Sequence, residues 1–122
     1  MNKNSDLHFL VSEANTMNDV ISGINSLSVK YGEGFSWGVI TDGSSFVNEL
    51  RKETDMSLYT DIKAIARSYS NDDVLFMLDN TTYRIYHLTY SSYRQNGFPK
   101  FIGFSDGAEA VSYIEKQYVE EH

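Results

Sequence analysis

A chain of 122 residues with 41% hydrophobic and 14% aromatic content is sized for one domain, spanning 1–122, with a core of its own. Ten basic against 17 acidic residues leave a formal charge of −7, which is repelled by phosphate backbones and anionic lipid and argues against nucleic-acid or membrane partners. No cysteine is present, no apolar run reaches spanning length, and the first residues lack a signal peptide's features, so the expected compartment is the cytoplasm.

In chain order, "LHFLVS" at 7–12 is short and apolar, suiting a strand. In "NTMNDVISGINSLSVKYGEG", Met17, Val20, Ile21, Ile24, Leu27 and Tyr31 recur at three- and four-residue steps, which predicts an amphipathic helix. Thr16 with Asp19 resembles a capping box, and Gly32 supplies a stop. "FSWGVI-TDG-SSFVNEL" suggests two strands around an Asp-Gly turn. A second helix is expected in "MSLYTDIKAIARSYS", with Leu58, Ile62, Ile65 and Tyr69 on its apolar stripe. "VLFML" at 74–78 is apolar on both faces and predicts a central strand, followed by an Asp79-Asn80 turn. "TTYRIYHLTY" and "FPKFIGF" predict two more strands around a polar loop. A closing helix starts from Ser105 as N-cap, with Ala110, Val111, Ile114 and Tyr118 on its buried face. The order βαββαβββα describes an α+β domain, a mainly antiparallel sheet covered by about three helices.

Two features bear on partners. Residues 106–122 hold Asp106, Glu109, Glu115, Glu120 and Glu121 against Lys116 alone. At 100° per residue, Asp106, Glu109, Tyr113 and Glu120 share an exposed side, a tyrosine among carboxylates that suits a basic protein partner. The second feature is aromatic: Tyr83, Tyr86, Tyr90, Tyr93, Phe98 and Phe101 fall within about twenty positions. If 81–90 is a strand, both its faces carry large groups, so either both are covered or one set of tyrosines stands exposed as anchors. Tyr83 and Tyr93 are the candidates for such anchoring.

Sites for catalysis, cofactors and metals are not indicated. "YGEGFSWG" closes a helix and opens a strand, the reverse of a dinucleotide-binding turn. In "GFSDG", Asp106 and Glu109 already place negative charge at the helix start, where a phosphate would otherwise sit. His8, His87 and His122 lack metal-ligand spacing, and no GxSxG elbow or SxxK pair occurs. His87 is the one histidine placed for general-base work, needing an orienting carboxylate such as Asp73 or Asp79 on the neighbouring strand.

The stretch "YRIYHLTYSS…GFPKFIGFS…AVSYI", with the size and charge of the chain, resembles small bacterial immunity proteins, acidic inhibitors encoded beside antibacterial toxins. The likeness covers about the last forty residues: a His-Leu-Thr-aromatic strand, a proline-containing loop and a closing helix. It implies selective neutralisation of one cognate toxin in the producing cell's cytoplasm, without catalysis; no functional residue transfers from it. The reading adopted is a non-enzymatic domain that occludes a basic toxin, with a nuclease the foremost candidate, through Asp106, Glu109, Glu120, Tyr113, Tyr83 and Tyr93. The alternative is a small-molecule or peptide-binding module with a cleft lined by strand tyrosines. A hydrolase centred on His87 is the third reading.

Overall fold

The computed structural model describes residues 16–122, so the strand expected at 7–12 and His8 lie outside the described residues. Helix α1 (Met17–Tyr31) leads through a short 3₁₀ turn at Gly32–Gly34 into β1 (Trp37–Val39). Helix α2 (Ser44–Glu53), strands β2 (Ile62–Ser68), β3 (Asp73–Leu78), β4 (Thr82–His87) and β5 (Lys100–Phe104), and helix α3 (Gly107–Glu121) complete the chain. The five strands form one antiparallel sheet in the order β1-β2-β3-β4-β5. This is the α+β architecture expected, but two of its elements differ in kind.

Helix α1 follows its sequence signals. The Thr16 hydroxyl accepts the Asp19 N–H, and Gly32 ends the helix at a φ of 77°, a left-handed value glycine adopts without strain. The Asp79-Asn80 turn also forms, with φ of 52° and 60°, the geometry of a tight hairpin.

The Asp-Gly hairpin does not form. Gly43 has φ −90° and ψ 5°, not the positive φ that a two-residue hairpin turn needs. The Asp42 carboxylate instead accepts the Ser44 N–H at 3.1 Å, turning the chain into α2. Phe46, Val47 and Leu50 then fall on one helical face against the sheet.

The expected second helix is mostly strand β2. The register between β2 and β3 shifts at Ala64/Ala66, a bulge that places consecutive Ile65 and Ala66 in the same core layer. Ile62 and Ile65, three residues apart as on a helical stripe, are buried on opposite faces of the sheet. The outer members of the supposed stripe, Leu58 and Tyr69, are 88% and 64% exposed.

Both faces of the sheet are covered. Val20, Ile24 and Leu27 of α1 and Ala110 and Ile114 of α3 pack on Ile65, Leu75, Met77, Tyr83 and Ile85. On the other face Leu50 of α2 and Met56 meet Ile62, Val74, Phe76, Leu78, Tyr86 and Leu88. Strand β4 therefore carries large groups on both sides because each side has its own core. Helices α1 and α3 approach closely at Gly107, where a Cβ would lie 2.4 Å from a Val20 methyl.

Candidate functional site

The closing helix begins one residue later than expected. Asp106, not Ser105, is the N-cap, and its carboxylate accepts the Glu109 N–H at 2.8 Å. The Ser105 hydroxyl donates to the Glu109 carboxylate, so both acids help organise the helix start. Glu109 and Glu120 are exposed, and eleven residues bring them within about 20° of each other around the axis. Glu115 is occupied: Lys30 donates to it at 2.8 Å and the Tyr31 hydroxyl at 2.7 Å. Those two hydrogen bonds, Lys30's first, hold its carboxyl below the usual range.

Tyr113 is not an open anchor among carboxylates. It is half-buried, with its ring centroid 5.3 Å from that of Phe104. Burial, then the charges of Asp73 and Glu120, push its hydroxyl above the ordinary tyrosine range. Tyr83 requires a plainer correction. At 2% exposure it lies in the core beneath α1 and α3, inaccessible to any partner of the folded chain. Tyr93 is 70% exposed on the β4–β5 loop, where adjacent Arg94 donates to the carbonyls of Arg51, Lys52 and Thr54. Those bonds hold the loop beside the end of α2, on the other side of the sheet from α3. Of the six residues picked from sequence, Asp106, Glu109, Tyr113 and Glu120 lie along α3 with only Glu109 and Glu120 exposed, Tyr83 is buried beneath that helix, and Tyr93 lies away from it.

His87 does meet a carboxylate. It pairs with Asp73 across the β3–β4 ladder, and its Nδ1 lies 2.8 Å from Asp73 Oδ1. The two side chains are 56% and 29% exposed, so water competes for that contact. Among the described residues, His87 lines none of the grooves over α1, α2 and α3. Among the described residues no group of three or more His, Asp or Glu is gathered for a metal ion.

One groove, about 370 Å³, runs between the start of α1, α2 and β2, lined by Met17, Ile21, Ile40, Val47 and Ile62. A second, about 290 Å³, lies between α1 and α3 over Val20, Gly23, Gly107 and Val111 with Asp19 at its mouth. Neither is lined by a strand tyrosine, because Tyr83 and Tyr86 are spent on the two cores.

Two polar arrangements escaped sequence reading. Glu53, 3% exposed at the end of α2, accepts the Thr89 N–H and hydroxyl at 2.8 Å each and the Tyr90 N–H at 2.9 Å. Burial pushes its carboxyl up, but hydrogen bonds from Glu49 and from these donors outweigh that and hold it low. Tyr90, at φ 54°, is kept in its left-handed turn by this clamp. In a helix over 44–53, the four-residue spacing of Glu49 and Glu53 beside Leu50 sets both toward the sheet. Arg84 stacks on Phe101 at 4.4 Å and Tyr59 at 5.4 Å, donating to the hydroxyls of Tyr86 and Tyr59.

Among the described residues no helix is long and apolar enough to cross a membrane. Comparison with protein-family models, with curated proteins and with solved structures finds no match to this chain.

Proposed function

We propose that this chain is a non-enzymatic protein-binding domain whose acidic helical layer docks on a basic partner, in the manner of an immunity protein neutralising a cognate toxin in the cytoplasm. The observation that carries the reading is uncompensated charge on α3. Lys30 engages Glu115, whereas Glu109, Glu120 and Glu121 are exposed with no Lys or Arg in ion-pair reach among the described residues. Exposed carboxylates along one side of a rigid helix present a negative face that a cationic surface complements while steering encounter. A nuclease suits the role, since such carboxylates would occupy the place of nucleic-acid phosphates in its cleft; the toxin itself comes from the sequence resemblance.

The test is capture on tagged protein at low salt from a lysate shown to contain the candidate toxin, with elution by rising salt. The expected result is a stoichiometric basic protein whose association rate falls with ionic strength and collapses in the Glu109→Lys/Glu120→Lys variant. A complex indifferent to both salt and charge reversal would remove α3 as the docking surface.

A further inference from the structure

The two edges of the sheet are treated differently. Strand β1 is three residues long, and the Tyr69 hydroxyl sits so near Gly38 that a Cβ there would lie 2.2 Å from it. Strand β5 has five residues, with Phe101 49% and Ile102 44% exposed, and among the described residues its ladder partner is β4 alone. Long apolar edges invite a further strand, and folded proteins ordinarily blunt them with charge, proline or a bulge. Here Pro99 and Lys100 stand only at the start, leaving Phe101 to Phe104 unprotected.

The pattern along this edge is self-complementary. In an antiparallel pair of β5 strands centred on Ile102, each Phe101 falls opposite Gly103 of the other copy, and Ile102 opposite Ile102. Cross-strand partners share a face, so the ring would meet a position without a side chain. The space above Gly103 is open: a Cβ there meets nothing within 4 Å. Glycine inside a strand often marks such a close approach of another chain. Phe101 keeps 49% of its surface exposed although it lies 5.0 Å from Tyr86 and 4.4 Å from the Arg84 guanidinium.

Charge selects the same surface. Residues 80–105 contain Arg84, Arg94 and Lys100 and no acidic residue, so all 17 carboxylate side chains lie elsewhere. Two copies of a chain with charge −7 therefore meet with least repulsion through this segment.

The geometry points to a second copy of this chain as the occupant of the β5 edge, forming a two-fold dimer that joins the two described five-stranded sheets edge to edge, with each Phe101 seated over the partner copy's Gly103. The inference is independent of the acidic-face reading. A contact of five residues per strand is small, so the dimer is weak, with a dissociation constant on the order of 10–100 µM.

The experiment is sedimentation equilibrium of the full chain from micromolar concentration to about 1 mM, for the wild type and two variants. Ile102→Lys opposes two cations on the symmetry axis. Gly103→Val fills the space Phe101 needs while adding a β-branched residue that the monomer accommodates. Wild-type dimerisation weakened at least tenfold by both variants, with unchanged circular dichroism, is the expected result. Should Ile102→Lys fail to fold, Gly103→Val alone decides. A wild type monomeric throughout, or a dimer untouched by Gly103→Val, overturns the inference.

Discussion

Replacing Glu53 by alanine tests whether one buried carboxylate organises the β4–β5 loop. The structure gives it three donors: the Thr89 N–H and hydroxyl on Oε1 and the Tyr90 N–H on Oε2. A hydrogen bond to a charged acceptor contributes about 1.5–3 kcal/mol, and an amide left without a partner costs about 1–3 kcal/mol. Against this stands the relief from no longer burying a charge, so the net loss for Glu53→Ala is about 3 kcal/mol. Glu53→Gln can keep a carbonyl oxygen at Oε1 for both Thr89 donors and loses chiefly the Tyr90 contact, costing about 1–2 kcal/mol. Urea denaturation reads the difference; with a slope near 1.5 kcal/mol per molar, the alanine midpoint falls by about 2 M. Amide exchange at Thr89 and Tyr90 should accelerate more in the alanine variant than exchange in β3. An alanine variant within about 0.5 kcal/mol of wild type, or a glutamine variant as damaged as alanine, would refute the clamp.

Glu49 sits one turn before Glu53, and its Oε2 is buried without a protein donor. Hydrogen bonding with Glu53, then burial, holds the Glu49 carboxyl above its ordinary range, so its stabilising contribution is full at pH below that range and lost as pH rises through the raised value. Glu53, held low, contributes in the opposite sense and fails as pH falls through its lowered value. In Glu49→Gln the decline of the urea midpoint as pH rises through the raised Glu49 value should flatten; an unchanged profile would show that Glu49 does not contribute it. Gly43→Ala should cost about 1–3 kcal/mol in thermal unfolding, since the new Cβ lies 2.8 Å from Ala64 Cβ and 2.9 Å from its carbonyl oxygen, on a packed strand. Gly38→Ala should cost less despite a 2.2 Å approach, because what it meets is the exposed, movable Tyr69 ring; the reverse ranking would contradict this. Asp106→Ala removes the cap of α3 and should cost about 1 kcal/mol by urea denaturation, with serine restoring most of it.

The elements that sequence alone determined are those whose signals are local and repeated. Helix α1 carries its stripe over four turns between Thr16 and Gly32, and β3 is an unbroken apolar run, so neighbouring residues decide them. The acidic stripe of α3 is legible for the same reason, because helical periodicity settles which side Glu109 and Glu120 share. Segments 44–53 and 62–68 exchanged identities because their local signals were ambiguous. Asp42-Gly43 serves a hairpin or a helix start equally, and the choice falls to a backbone φ of −90° at Gly43, which lies against Ala64 of a strand later in the chain. Ile62 and Ile65 fit a helical stripe until strand pairing sends them to opposite faces of the sheet, each covered by its own core.

Only tertiary structure decided the fate of the tyrosines. Tyr83 and Tyr86 stand on opposite faces of β4, and each is buried because α1 and α3 cover one face while α2 covers the other. No local rule distinguishes them from Tyr93, which is exposed because its loop is tied to the end of α2 by Arg94. Glu53 shows the same dependence. A glutamate at a helix end is ordinarily solvated, and here three donors from a loop 36 and 37 residues later make its burial favourable. Composition and periodicity fix what a segment prefers, whereas burial, the dominant energy, depends on which distant segment arrives to exclude water.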